Sequence, residues 1–268
     1  MDLDRIQSMQ TPDWSRLSIA GTELLEARIE CHHAVQINTR LTRGLLAATD
    51  DDSHTSLAWD PLANALTGQA IATLRLGLRI RDLTLLLLRP ASEEIASFPL
   101  DGHTFAEALG WLSEHLRASG LEPDPLSLPI HFKLDEHPLL HGARFRVSGR
   151  ELLFEELAKW YSNAALCLNA VSSPVRCWPH HFDIATQIGS GDRSTGVGMS
   201  PGDGSYSQPY FYVSPWPYPD VSTLPPLALG HWHTEGWVGA VLTAEEILPK
   251  TDQRISVESF MQRAIAKG

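Results

Sequence analysis

Three residues near the C-terminal end of the chain have side chains that can bind metal ions. His231, His233 and Glu235 alternate with Trp232 and Thr234, and residues two apart project from the same face of a β-strand. Imidazole and carboxylate groups are ligands for zinc, iron and manganese. The spacing therefore predicts a site for a divalent metal cofactor, which a further side chain or a bound water would complete.

A histidine and an aspartate with the same spacing lie earlier in the chain. His181 and Asp183 alternate with the apolar Phe182 and Ile184, so both polar side chains are expected on one face of a second strand. A histidine beside a carboxylate is the smallest pair that can transfer a proton near neutral pH. We therefore predict that His181 and Asp183 are catalytic. If this strand neighbours the one that carries His231, five polar side chains converge.

Aromatic residues can supply the walls of the same site. Tyr210, Tyr212 and Trp216 share one face of a regular strand, and each offers an apolar body with a polar tip. Pockets for small molecules are lined by such groups. Trp59, in the segment 54–60 of the first half, is expected to reach the same cleft. The alternative interpretation is a core strand that continues into a proline-stiffened loop.

These residues support three functional hypotheses. The first, which we favour, is a small-molecule-binding protein or enzyme with a pocket of histidine, aspartate and aromatic side chains. The second is a metal-dependent enzyme in which His231, His233 and Glu235 or Asp183 hold the ion and a bound water reacts. The third is a non-catalytic protein whose aromatic-rich second half contacts a partner. A structural explanation also exists, because half-buried histidines often only bind backbone groups.

Hydrophobic periodicity predicts the elements that position these side chains. Apolar residues three and four apart predict helices over 21–47, 105–119, 151–171 and 257–266. Alternation or short apolar runs predict strands over 56–59, 70–73, 74–80, 83–88, 130–134, 181–188, 195–199, 210–214 and 232–242. Thr104 with Glu107, and Thr243 with Glu246, have the spacing of a capping box that starts a helix.

The strands come in groups rather than alternating singly with helices. This order favours an α+β fold in which antiparallel or mixed sheets pack against amphipathic helices. The chain of 268 residues is expected to form one globular domain, 1–268. Both halves, 1–147 and 148–268, contain a long helix, several strands and an amphipathic helix, so two pseudo-repeated subdomains are the alternative.

The charge of the chain argues against two classes of partner. The formal net charge is −11, whereas a nucleic-acid-binding protein needs a concentrated basic surface, and an anionic membrane would repel the same charge. Three cysteines without paired spacing, and an acidic N-terminus without a secretory signal, are typical of a cytoplasmic protein with reduced thiols. The ligand, the reaction and the oligomeric state stay open.

Three segments of the second half resemble a widespread bacterial family of unknown function. They are 173–175 (SPV), 178–183 (WPHHFD) and 209–213 (PYFYV). In the first half, His33, Gln36 and the segment 54–59 are similar to the early helix and strand of that family. The resemblance implies a bacterial protein, and it implies no mechanism because the family has no established activity.

Overall fold

Helices and antiparallel sheets are both present in the protein. The computed structural model describes residues 13–19, 21–122, 126 and 132–267. These residues form five α-helices, namely α1 (Leu25–Leu45), α2 (Phe105–Ala118), α3 (Glu151–Asn169), α4 (Ala244–Ile247) and α5 (Gln253–Ile265). All four predicted long helices are confirmed, and both capping boxes are formed. The α+β class is therefore confirmed, with antiparallel pairing in both sheets.

The first sheet has five strands that follow one another in chain order. They are β1 (Ala58–Asp60), β2 (Ala65–Thr67), β3 (Arg75–Arg79), β4 (Thr84–Arg89) and β5 (Glu93–Pro99). The leucine run of β4 is covered on both faces, as predicted. The predicted strand 70–73 is wrong, because Ile71 and Leu74 pair across a tight turn in which Ala72 has φ 53°. Of the predicted strand 130–134, residues 130 and 131 lie outside the described residues and 132–134 are not strand.

The second sheet has six strands, and their spatial order differs from the chain order. They are β6 (Arg176–Trp178), β7 (Asp183–Ser190), β8 (Arg193–Ser200), β9 (Tyr210–Trp216), β10 (His231–His233) and β11 (Gly239–Thr243). Across the sheet the order is β10-β11-β9-β8-β7-β6. The predicted single strand 232–242 is wrong. A turn at 234–238, in which Gly236 has φ 83°, folds this segment into the β10–β11 hairpin.

The two faces of the six-stranded sheet have different surroundings. Ile184, Met199, Phe211 and Leu242 alternate onto one face and are completely buried, where α3 and α5 pack on the sheet. The opposite face borders an open cleft. This open face carries His231, His233 and most other candidate site residues, because strand periodicity places alternate residues on it.

A short backbone contact joins the two sheets. Leu57, just before β1, and Cys177, in the middle of β6, exchange two backbone hydrogen bonds of 2.9 and 2.7 Å. Both side chains belong to a buried cluster that takes residues from both halves of the chain. Among the described helices, none has the length and apolar character that crossing a membrane requires.

Candidate functional site

A cleft of about 480 Å³ lies on the open face of the six-stranded sheet. Strands β7, β8 and β9 and the loop after β8 contribute its floor and walls. The described lining residues are mostly aromatic or polar, and they are His181, Asp183, Ser200, Asp203, Gly204, Ser205, Tyr210, Tyr212, Ser214, Tyr218 and Trp237. His181, Asp183, Tyr210 and Tyr212 were identified from the sequence, and the structure brings these four to one cleft.

Asp183, the first residue of β7, has one bonded and one unbonded carboxylate oxygen. Its Oδ2 accepts a hydrogen bond of 2.5 Å from the Tyr212 hydroxyl. Its Oδ1 is shielded from solvent and has no hydrogen-bond partner among the described residues. Burial raises the pKa of Asp183 above its ordinary value, although the Tyr212 hydrogen bond and the nearby His181 act in the opposite direction. A sequestered acceptor of this kind is costly unless a ligand or water satisfies it.

A second tyrosine–aspartate pair lies beside the first. The Tyr210 hydroxyl donates a hydrogen bond of 2.5 Å to Asp203 Oδ2, and the Tyr210 and Tyr212 ring centroids are 6.2 Å apart. Backbone amides of Ser205 and Tyr206 bind Asp203 Oδ1 and fix the loop. Burial raises the pKa of Tyr210 and of Tyr212, so these two hydroxyls stay protonated and act as donors.

A glycine makes room for the Tyr212 ring. Gly198 of β8 is the cross-strand partner of Tyr212, and a Cβ atom at Gly198 would lie only 2.5 Å from the Tyr212 Cζ and Oη atoms. The ring therefore lies flat over the strand, where its hydroxyl reaches Asp183. A glycine inside a strand often marks such a close approach.

His231 and His233 lie on the same open face but are far from Asp183. The residues opposite them on β11 are Val241 and Gly239, and Val241 is in turn opposite Tyr212. Strands β11, β9 and β8 separate β10 from β7, a span of about 19 Å at about 4.8 Å per strand. The predicted convergence of the two segments is therefore wrong, because the strands share a face without being neighbours.

The imidazoles of β10 are bound to Tyr206 and to backbone. His233 Nε2 donates to the Glu235 carbonyl at 2.7 Å, so in the neutral ring Nδ1 accepts the Tyr206 hydroxyl at 3.1 Å. The Tyr206 oxygen then accepts from His231 Nε2 at 3.0 Å. Glu235 follows β10 in a turn, so the expected third side chain on one strand face is wrong. No group of three or more His, Cys, Asp or Glu in the described part of the chain is arranged to hold a metal ion.

Two predicted wall residues lie outside this cleft. Trp59 is on β1 of the other sheet, where it packs against the buried core. Trp216 ends β9 with 55% of its surface exposed, and its ring meets Tyr218 edge-on at 5.2 Å. Tyr218 lines the cleft in its place.

Sequence reasoning missed several residues of the cleft, and the loop after β8 shows why. Asp203 belongs to a glycine-rich segment that is typical of a hairpin turn. Its side chain does cap that turn, but its second oxygen reaches Tyr210. Trp237, in the β10–β11 turn, stacks on His233 with ring centroids 4.4 Å apart. The Asp-Gly dipeptide at 203–204 indicates a turn that carries a polar side chain, whereas no local pattern indicates that Trp237 faces the cleft.

Helix α1 supports the start of β7 from the first half of the chain. His32 Nε2 and Gln36 Nε2 both donate to the Pro179 carbonyl at 2.8 Å. These residues are four apart and therefore adjacent on one helix face. Their shared acceptor lies in the turn that leads from β6 to Asp183.

The residue before Asp183 has an unusual backbone conformation. Phe182 has φ 57°, a left-handed conformation that is costly for a large side chain. The Tyr161 hydroxyl donates to the Phe182 carbonyl at 2.5 Å. The Phe182 ring stacks on that of His32 with centroids 5.4 Å apart. Contacts from α1 and α3 therefore stabilise the backbone conformation that places Asp183 at the cleft.

Comparison with protein-family models, with curated proteins and with solved structures finds no match for this chain. No family model therefore supports the resemblance of segments 173–175, 178–183 and 209–213 to a bacterial family.

Proposed function

We propose that the cleft on the six-stranded sheet binds a small organic cation, an amine or a quaternary ammonium compound. The observation that carries this proposal is the Asp183 carboxylate. It is sequestered at the cleft, and one of its oxygens has no partner among the described residues. A bound cation would supply the missing partner and would favour the ionised carboxylate.

The charge of the lining supports a cationic ligand. Asp183 and Asp203 are both in the lining, and no lysine or arginine occurs among its described residues. The carboxylates are near enough for the charge of Asp203 to contribute to raising the pKa of Asp183. A cation relieves this repulsion, whereas an anion would add to it. The net charge of −11 also raises the concentration of cations near the protein surface.

The aromatic walls support the same class of ligand. Tyr210, Tyr212, Tyr218 and Trp237 surround the carboxylates, and the rings of Tyr212 and Trp237 are 6.3 Å apart and nearly perpendicular. Aromatic faces attract ammonium groups by about 0.5–2 kcal/mol each, with the larger values in desolvated sites. Rings at such an angle can contact two sides of one ligand.

The direct test compares charged ligands with neutral ligands of the same shape. Choline, ethanolamine, putrescine and tyramine are titrated into the protein by calorimetry, each beside its neutral isostere. We expect at least one cation to bind at least tenfold more tightly than its isostere, a difference of about 1.4 kcal/mol. The same titration is repeated with Asp183→Asn, which removes the charge and keeps the shape.

A matched variant controls for the change in net charge. Asp192 is exposed in the β7–β8 turn and is not in the described lining of the cleft, so Asp192→Asn should leave affinity unchanged. Equal affinity for cations and isosteres, or equal loss in both variants, would contradict the proposal. Failure of all four cations to bind would also contradict it.

Proton transfer by His181 and Asp183 on the bound ligand is a second candidate function. The observation that favours it is a carboxyl group of raised pKa close to a histidine at the cleft. Carboxyl groups with raised pKa values serve as acids near neutral pH. Cations that bind are incubated with the protein and followed by NMR. Turnover that His181→Gln and Asp183→Asn each abolish is the expected result, and unchanged ligand would contradict catalysis.

A further inference from the structure

A second cavity, of about 260 Å³, lies between helices α1 and α2 and the segment 134–142. It differs in chemistry from the cleft on the sheet. Its polar wall comes from α1, with Gln36 and Arg40 one helical turn apart. Its apolar wall includes Phe105, Leu109 and Leu139.

The side-chain amide of Gln36 has a fixed orientation at the cavity. The residue is only 2% exposed, and its Nε2 donates to the His32 and Pro179 carbonyls at 2.9 and 2.8 Å. Because two carbonyl oxygens can bind only the NH₂ group, the orientation of the amide is fixed. Its Oε1 is buried and has no partner among the described residues. The cavity therefore offers an unfilled position for a hydrogen-bond donor.

Arg40 presents a cation that has no carboxylate partner among the described residues. Its guanidinium lies over the Phe105 ring, 5.0 Å from the centroid, and its Nη1 reaches the Leu126 carbonyl at 3.5 Å. Its Nε is buried and has no hydrogen-bond partner in the described part of the chain. Burial lowers the pKa of the guanidinium, and no acidic group of the described residues opposes that effect. A half-buried arginine of this kind favours an anionic ligand.

We propose that this cavity binds a small hydroxy acid with an apolar side chain. The carboxylate pairs with Arg40, the neighbouring hydroxyl donates to Gln36 Oε1, and the apolar part contacts Leu109 and Leu139. An ammonium donor is disfavoured because the positive charge of Arg40 faces the same space and the described lining includes no acidic residue. The cavity shares no residue with the described lining of the cleft on the sheet, so either proposal can fail alone.

Three ligands of similar size separate the contributions of the hydroxyl and of the carboxylate to affinity. Leucate carries the hydroxyl and the carboxylate, isocaproate lacks the hydroxyl, and isohexanol lacks the carboxylate. Binding is followed by calorimetry and by NMR shifts of the cavity methyl groups of Leu109 and Leu139. We expect leucate to bind most tightly, isocaproate about tenfold more weakly, and isohexanol more weakly still.

Two variants test the location of the site by different means. Arg40→Gln removes the charge, and Ala106→Trp keeps Arg40 but fills the cavity from an exposed position on α2. Each should reduce leucate affinity at least tenfold. Arg117→Gln, an exposed change on the same helix α2, is the control for charge and should bind leucate normally.

Two outcomes would overturn the proposal. One is that the three ligands bind with equal affinity, or not at all, to protein whose circular dichroism and thermal unfolding are normal. The other is that leucate binding survives Ala106→Trp, which would place it elsewhere on the surface. Because Ala106 is exposed, this variant stays informative even if Arg40→Gln does not fold.

Discussion

The two sheets are both antiparallel, but they differ in whether their charged side chains have bonding partners. In the five-stranded sheet two arginines are paired with carboxylates, Arg75 with Asp60 at 3.2 Å and Arg79 with Asp82, in the turn after β3, at 2.9 Å. In the six-stranded sheet Asp183 keeps an oxygen without a partner among the described residues. Native proteins satisfy most buried polar groups, so an unpaired carboxylate oxygen of a residue that lines a cleft is a candidate for ligand binding.

The covering of the faces explains this difference. Strand β4 is buried on both faces, so the leucine-rich sheet has little room for anything except packing. The six-stranded sheet packs α3 and α5 on the face that carries Ile184 and Phe211, and its other face borders a cleft. We infer that the first sheet mainly stabilises the fold and that the second binds the ligand. The following predictions test this comparison.

Acid is expected to have the largest effect, and it should act through α1. Burial lowers the pKa of His32 and His33 from 6.5 to about 4, so the unfolded chain binds protons more readily than the folded protein. Their contribution to stability is therefore complete above about pH 6.5 and is lost as the pH falls toward about pH 4, by on the order of a few kcal/mol. Urea unfolding at several pH values measures it.

A variant assigns this effect to α1. His32→Phe keeps a ring for stacking on Phe182 but cannot titrate, so its stability should fall less steeply with acid. His141→Gln changes an exposed histidine and should retain the slope of the natural protein. If the stability of His32→Phe falls with acid as steeply as that of the natural protein, the contacts made by α1 are not the acid-sensitive part of the structure.

Removal of a leucine from the five-stranded sheet is expected to cost the next largest amount. Leu85 on β4 is 1% exposed, so Leu85→Ala should lower the free energy of unfolding by about 3 kcal/mol. The affinity of the folded protein for a cation should not change, because the cleft is on the other sheet. Leu62→Ala, at a residue 74% exposed, is the control. A change in cation affinity with Leu85→Ala would break the proposed division between the sheets.

A methyl group beneath Tyr212 should act mainly on binding. Gly198→Ala places a Cβ within 2.5 Å of the tyrosine Cζ, which forces the ring to move away from Asp183. We expect about 1 kcal/mol of lost stability and a loss of cation affinity of about tenfold. Gly196→Ala, on the same strand but outside the described lining of the cleft, where a Cβ approaches no atom closer than 3.8 Å, should be nearly silent. Equal affinities in the two variants would show that the position of Tyr212 does not matter.

Asp183→Asn is expected to have the smallest effect on stability, and the effect should be favourable. The raised pKa of Asp183 means that its ionised form costs stability above that pKa and that this cost fades as the pH falls. At about pH 8 the variant should therefore be more stable by about 1 kcal/mol, and the gain should shrink in acid. A destabilised variant at alkaline pH would show that the carboxylate has a structural role.

Local patterns in the sequence predicted the helices well. The apolar stripe of α1 and the pairs Thr104–Glu107 and Thr243–Glu246 act over one or two helical turns, and the structure forms each of them. The same holds for the leucine run of β4. These features depend on neighbours in the chain, so they can be read without knowing the rest of the fold.

Pairing between strands could not be read in this way. The alternation in 231–235 and 181–184 placed His231, His233 and Asp183 on strands, but the expectation that His181 shares the strand face of Asp183 is wrong, because β7 begins at Asp183 and His181 lies in the turn before it. The pattern also contains no information about which strands are adjacent. One glycine, Gly236, converted a predicted long strand into a hairpin. The site therefore formed around Tyr212 and Asp203 instead of around the histidines.

By itself, the sequence determined the periodicity of each element, the net charge and the presence of polar residues on strand faces. Tertiary structure decided that β7 lies between β6 and β8 rather than beside β10, and that α1 binds the turn before Asp183. The physical reason is the separation along the chain of the residues that make each contact. Helix and strand periods arise from contacts a few residues apart, whereas strand order and the isolation of a carboxylate oxygen depend on groups that are distant in the chain.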